Sequence, residues 1–426
     1  MGRAPGAEGD RPDAIYSEGL TILVPEHHHG SMAKPTDALQ RLRRVHEDAV
    51  LDALRSSGAL SRTELINRTG LSRTTLFAII SEMVERGAVV EIEAPVSGAR
   101  GRGRPATLVA LSPEAGQLIG LDLARHRVHL AVANVSHQII ATGMEDVPEG
   151  AGVTEQAEAA VRLIRRVIEE RGVRLGALEA IGLGLVGVMD DPVLPAGIVP
   201  ARYTPVTELL EREFGVRVAV DNNARLAALA ENTWGAARSV DDMVYVRWSV
   251  GVGGGFIVGG RLVRGAHGAA GEIGHVSLDP AGPPCHCGSR GCLERRIGGR
   301  ALLESCAARG ILLAGLDALV AAAQDRVPEV CELISAAAAD LGRILADTVV
   351  QLDPERVVVG GEFASLGSLV LGPIRAAIAR LSLPNSPRAI EVIPADLGAN
   401  ASAMGAIALL LHEEPAIPAH LRPARD

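Results

Sequence analysis

Aromatic side chains are nearly missing from this chain: Phe, Tyr and Trp together make up 2% of its 426 residues. Its cores must therefore be built from Leu, Val, Ile and Ala. No run of 18 apolar residues is free of charged or polar interruption, which excludes a spanning helix of ordinary length. The opening stretch MGRAPGAEGDRPD is polar and has no apolar h-region, so no secretory leader is expected. A soluble, cytoplasmic protein with no membrane partner is the expectation. A net charge of −9 argues against general nucleic-acid affinity, although it averages unlike parts. The length suits two or three domains, each with a sizeable core. Cysteine is scarce as well, five in all, and its distribution is uneven.

Three of those five, Cys285, Cys287 and Cys292, fall in the stretch Gly271 to Gly299, with His275 ten positions upstream of the first. In a reducing compartment, close-set thiols point to metal more than to disulfides. One imidazole and three thiolates suit a closed tetrahedral Zn²⁺ site, structural and one per chain. The intervening Gly and Pro residues let a short segment fold back on itself. Glu272 and Glu294 flank the same loop, and a metal pinning both flanks would hold the two carboxylates near each other. Paired carboxylates beside an imidazole suit a polyhydroxylated ligand, because each carboxylate accepts several hydroxyl hydrogen bonds. Cys306 and Cys331 lie in apolar helical contexts and read as core.

These residues carry a resemblance. GEIGH followed by CHCGSRGCLE, with the glycine-rich SVGVGGGFIVGGRLVRGAHGAAGEIGH ahead of it, resembles the signature of the ROK family of bacterial sugar kinases and sugar-responsive repressors. The likeness runs over roughly Gly120 to Leu411. It implies that His275, Cys285, Cys287 and Cys292 bind zinc and that Glu272, His275 and Glu294 hold a sugar. It also implies a duplicated actin-like, ribonuclease H-like kinase fold with the sugar between two lobes.

The N-terminal part differs in character. Residues 1–38 are rich in Gly, Pro, Asp, Glu and His without apolar periodicity and read as a disordered tail. Residues 40–107 carry 11 Arg against 8 Asp plus Glu, a surplus of 3, which leaves −12 for the remainder. Such asymmetry hints at a nucleic-acid module. Leu42, Val45, Val50, Leu51 and Leu54 make a helical stripe. Ser61-Arg-Thr-Glu64 is a capping box opening a short helix to Thr69, Gly70 makes the turn, and Ser72 caps a second helix. Leu60, Leu65, Ile66, Leu71, Leu76, Ile79, Ile80 and Val84 would form the shared core. That spacing predicts a helix-turn-helix over 39–96, winged by a strand from Ala88 to Glu93 and by the Arg/Gly-rich wing or linker 97–115.

Ser72, Arg73, Thr74 and Thr75 sit where the second helix meets base edges, while Arg62 and Thr63 suit phosphate. Arg100, Arg102 and Arg104 lie in SGARGRGRPA, whose Arg102-Gly-Arg-Pro105 is similar to the minor-groove core of an AT-hook. One module of this size is too small for tight binding, so a homodimer or homotetramer on a two-fold double-stranded operator is expected.

Residues 116–426 alternate strand and helix patterns in two meander-plus-helix halves, an α/β arrangement, with the zinc motif at 271–299. Kinases of the ROK family open with a DxGGT-like phosphate loop. The matching stretch here is Asp122-Leu-Ala-Arg-His-Arg-Val128, in which Ala124 and Arg125 replace both glycines. The family's base aspartate lies in an E-N-D-A-N motif, here Asp221-Asn222-Asn223-Ala224-Arg225. The base position is thus Asn223, whose amide can hydrogen-bond a hydroxyl but cannot take its proton. Loss of a general base typically costs about 10²–10⁴ in rate. Asn222 and Asn223 are expected to face the sugar. These residues predict a sequence-specific DNA-binding transcriptional regulator, a repressor type, that senses a sugar in a catalytically inactive kinase-like domain. The alternatives are an active carbohydrate kinase with a DNA-binding appendage and a DNA-binding protein with a vestigial pocket.

Overall fold

A computed structural model describes residues 43–412 except 44, 48, 55–56, 94–106, 114, 135, 149, 177, 188–200 and 382–389. Arg100, Arg102 and Arg104 lie outside the described residues, as do the tail 1–38 and Leu42.

The N-terminal head begins with α1, whose residues 49–54 are helical. Strand β1 (Leu60–Ser61) leads into α2 (Arg62–Thr69). Ser61 accepts the Glu64 N–H while the Glu64 carboxylate accepts the Ser61 N–H, so the capping box is formed on both sides. Gly70 ends α2 in the left-handed region at φ 69°. Ser72 then caps α3 (Arg73–Glu85) by accepting the Thr75 N–H. β2 (Val89–Glu93) and β3 (Thr107–Leu111) pair antiparallel from Val89↔Leu111 to Glu93↔Thr107, and β1 joins the far side of β3. The wing's return strand thus lies within the segment read as wing or linker, and residues 112–115 alone separate it from the next sheet.

The head's core holds Val50, Leu51, Leu54, Leu60, Leu65, Leu76, Ile79, Ile80 and Met83. One expected core position fails, and one residue of the helical stripe lies outside the core as well. Val84 is 39% exposed, because the buried face of α3 repeats as 76, 79, 80 and 83 and the next residue turns away from it. Val45 is 62% exposed.

The rest of the chain is built twice on one plan. β4 (Gly116–Ala124), β5 (Arg127–Asn134) and β6 (Ile139–Asp146) form an antiparallel meander. After α4 (Val153–Arg171), β7 (Ala180–Leu185) adds parallel to β4; after α5 (Thr204–Phe214), β8 (Arg217–Asn222) adds parallel to β7. The strand order is β6-β5-β4-β7-β8, and α6 (Asn223–Thr233) follows. The second half repeats this with β9 (Met243–Trp248), β10 (Val252–Val258) and β11 (Arg261–Val263), then β12 (Arg356–Gly360) and β13 (Glu391–Pro394), in the order β11-β10-β9-β12-β13. Between β11 and β12 come the cysteine loop, α7 (Glu294–Ile297), α8 (Gly299–Ala308), α9 (Leu316–Gln324) and α10 (Pro328–Leu352). α11 (Ser368–Leu381) precedes β13, and α12 (Ala401–His412) ends the described chain.

The two helices that follow the last strand of each half, α6 and α12, pack together between the sheets. Small residues make this possible. A Cβ on Gly120 of β4 would collide with the Ala403 carbonyl of α12, so the helix backbone lies directly on the strand. Their apolar faces are alanine-rich, as the near-absence of aromatics requires. No helix among the described residues is long and apolar enough to cross a membrane.

Candidate sugar cleft, metal loop and DNA-reading face

The cysteine loop folds back through two short antiparallel bridges, Ser277↔Cys292 and Pro284↔Arg290. This brings the ligand atoms of His275, Cys285, Cys287 and Cys292 within 4.8 Å of one another. Cys285 Sγ lies 3.6 Å from His275 Nδ1, and Cys287 Sγ 3.5 Å from Cys292 Sγ. The thiol–thiol separation is far too long for a disulfide. Both separations match the edges of a tetrahedron built on metal–ligand bonds of about 2.0–2.3 Å, roughly 3.5–3.8 Å. Burial and the neighbouring Cys287 and Cys285 thiols push Cys292 up to about 12. A bound cation reverses that preference and holds the thiolates. The donor set therefore fits a metal ion. Burial lowers the pKa of His275, which favours the neutral imidazole that a metal ligand requires.

His275 presents two different faces. Nδ1 points at the thiols, while Nε2 lies 4.0 Å from Glu272 Oε2. Glu272 Oε1 in turn accepts the Asn222 Nδ2 amide at 3.4 Å. Burial pushes the Glu272 carboxyl up, with the Arg225 charge opposing. Glu294, at the start of α7, accepts the Val252 N–H through Oε2 at 2.8 Å. Asn222 caps α6, its Oδ1 accepting the N–H groups of Ala224 and Arg225, so its amide nitrogen is free to reach Glu272. Asn223 Nδ2 donates to Asp122 Oδ1 at 3.3 Å.

Asn222, Asn223, Glu272, His275 and Glu294 all line one cleft of about 940 Å³ between the two sheets. All five carry hydrogen-bonding groups of the kind a polyhydroxylated ligand needs. The hairpin turn Arg125–His126 between β4 and β5 lines the same cleft, bulky where a phosphate cradle needs bare backbone.

Three contributors escaped the sequence reading. His286, between two of the cysteines, lines the cleft with its Nδ1 3.9 Å from Glu294 Oε1 and its ring edge-on to His275. Arg225 and Arg264 clamp Asp221 from both sides at 2.7 Å, and Arg225 Nη1 also donates to the Gly268 and Ala270 carbonyls. This buried knot fixes the segment that leads into Glu272. Gly271 is part of the approach: at φ 93° it sits in the left-handed region, and a Cβ there would strike the Gly254 carbonyl. A cationic residue two places after Asn223 was the available signal for Arg225, since a charge at the start of a buried helix demands a partner.

On the head, Arg73 and Thr74 are exposed at the start of α3, and Thr63 is exposed on α2. Ser72 and Thr75 are committed to the cap and to each other, at 2.8 Å between hydroxyls. Arg62 is tied to Glu91 of the wing at 2.6 Å and stacks 4.5 Å from the Phe77 ring; Arg73 approaches the same ring at 5.4 Å. Phe77, which the sequence reading passed over, thus organises two of the candidate arginines.

Comparison with known proteins follows these two parts. The ROK family profile matches residues 118–413, and that of the IclR helix-turn-helix domain matches residues 49–92. The xylose repressor of Caldicellulosiruptor bescii is 25% identical over 88% of this chain and 98% of its own length. The glucokinase of Streptomyces coelicolor is 31% identical over 70% of this chain and 99% of its own length. Among solved structures, a ROK family transcriptional regulator described as a homologue of E. coli MLC protein superposes with TM-score 0.63 at 23% identity, covering 86% of this chain and 96% of its own.

Proposed function

The chain belongs to the ROK family, and from that premise we propose that it is a DNA-binding transcriptional repressor whose kinase-like cleft senses a sugar without phosphorylating it. The observation that carries the reading is Asn223. It stands in the cleft at the position where the family's kinases carry their base, and it bears an amide that holds a hydroxyl but removes no proton. The helix-turn-helix supports the regulatory half: the xylose repressor aligns with this chain over its head as well as its cleft domain, whereas the glucokinase is accounted for by 70% of the chain.

In this account Asn222, Asn223, Glu272, His275 and Glu294 bind the sugar hydroxyls. His275 Nδ1 and the thiolates of Cys285, Cys287 and Cys292 hold one zinc ion, which braces the loop and takes no part in chemistry. His275 then presents Nε2 to the cleft, and the Arg225–Asp221–Arg264 knot positions Glu272. Arg73 and Thr74 read base edges, and Arg62 and Thr63 position the phosphate backbone. Arg100, Arg102 and Arg104 extend the contact into the minor groove. A homodimer presents two such heads.

Sugar closes the lobes around α6 and α12 and moves β4, which continues into the wing strand β3 through residues 112–115. The two heads then change their relative placement, and their spacing no longer matches the operator half-sites. Moving from mostly bound to mostly released requires the sugar to favour one arrangement by about 3–5 kcal/mol.

The 31% identity to a glucokinase favours one competing reading, an active kinase bearing a DNA-binding head. Incubation of the zinc-loaded protein with MgATP and a hexose panel decides between them. The expected result is sugar-induced thermal stabilisation without sugar phosphate. Phosphorylated product that disappears in Glu272→Ala would establish the kinase instead.

A further inference from the structure

We propose that Arg247 is a built-in counter-cation that occupies the catalytic end of the cleft in place of a divalent metal, so that the cleft excludes nucleotide and ties its two lobes together. The proposal rests on reading the cleft as a sugar receptor and deepens it.

Asp122 is fully buried on β4, in the first sheet. Its Oδ1 accepts the Asn223 amide, while its Oδ2 is buried with no hydrogen-bond donor. A buried carboxylate without a counter-charge is costly. His129, its cross-strand neighbour, has its pKa lowered by burial and is neutral near neutral pH. The charge facing Asp122 comes instead from the second sheet: Nη1 of Arg247, on β9, lies 3.6 Å from Oδ2.

Nucleotide-dependent phosphoryl transfer places Mg²⁺ and phosphate oxygens among carboxylates at such a position. Here a guanidinium stands there. Arg247 lines both the main cleft and a neighbouring cavity of about 240 Å³ beside Gly361, so it sits at the junction between them. The amide of Asn223 completes the substitution. An aspartate at that position would place a second carboxylate about 3.3 Å from Asp122 and call for a cation; the amide supplies an N–H and needs none. Asp122 and Arg247 also belong to different lobes, and Ser402 on α12 reaches Arg247 at 3.5 Å while donating to the Asn223 carbonyl at 2.8 Å. The pair is therefore an inter-lobe tie beneath the cleft: Arg247 lines it and Asp122 is buried behind.

The test is a charge-swap cycle on the zinc-loaded full chain, read by melting temperature and by binding of Mn²⁺ (electron paramagnetic resonance) and of Mg²⁺–TNP-ATP (fluorescence). Wild type is expected to bind neither probe. Arg247→Met, which keeps the length and removes the charge, is expected to lower the melting temperature by more than about 5 °C. Adding Asp122→Asn is expected to restore most of that loss, because it removes the stranded charge. Binding of either probe by wild type would overturn the proposal, and so would a double variant no more stable than Arg247→Met alone, including one that fails to fold. Failure of every sugar to bind wild type, with the cycle behaving as expected, would sink the sugar-receptor reading and leave the internal cation standing.

Discussion

Phe77 shows how much a single ring decides on the head. It lies between Arg62, which also pairs with Glu91 of the wing, and Arg73 at the start of α3. Such stacking contributes about 0.5–2 kcal/mol where the ring is partly desolvated. Phe77→Leu keeps the apolar volume and is expected to weaken operator binding about three- to tenfold with little change in sequence preference. Arg73→Ala is expected to relax the preference at one base step by about 1–3 kcal/mol. Competition binding against a library of single-base operator variants separates the two. Equal, sequence-independent losses for both would contradict the assignment. What was legible at this scale was local: the Ser61–Glu64 box and the Ser72 cap each act within a few residues of themselves, whereas the reach of Asn222 to Glu272 and of Asn223 to Asp122 crosses 50 and 101 positions. Phe77 and Arg62 were only half legible, because their partnership joins α2, α3 and β2.

At the scale of elements, the cysteine loop is where function depends most on one local fold. Its bridges place Glu272 and Glu294 on the flanks of one cluster that could hold a metal, so losing the cluster also releases the two carboxylates proposed to bind sugar. Cys287→Ser is expected to drop the metal content from one ion per chain to near zero. It is also expected to abolish sugar-induced stabilisation while leaving the head able to bind DNA. Elemental analysis beside a thermal-shift assay checks this; a full metal complement in the variant would contradict the ligand set. The loop's chemistry was readable because thiol spacing is explicit in the sequence. Periodicity was less faithful. α3 buries Met83 where Val84 was expected, a one-residue slip that moves a side chain about 100° round the helix. β3 went unread because the Arg/Gly-rich segment ahead of it carries no strand pattern, and only its pairing with β2 defines it.

The whole molecule is a helix-turn-helix head joined by residues 112–115 to β4, the central strand of the first of two sheets, and β4 runs from that joint to the buried Asp122. Duplication of the five-stranded plan was legible as two runs of alternating strand and helix. The tie between Asp122 and Arg247 was not, because the two residues lie on separate sheets and no local pattern relates them. The account's central claim is that occupancy of the cleft, without chemistry, changes how the head engages DNA. The most direct measurement is fluorescence anisotropy of the full-length, zinc-loaded protein on a duplex recovered from a random library by the protein itself, with ATP absent. Each member of a hexose, pentose and amino-sugar panel is added in turn. The account predicts that at least one sugar shifts operator affinity by about 150-fold or more, equivalent to about 3 kcal/mol of coupling, and that Glu272→Ala abolishes the shift. A sugar that binds the cleft by calorimetry yet leaves the operator affinity unchanged would contradict it.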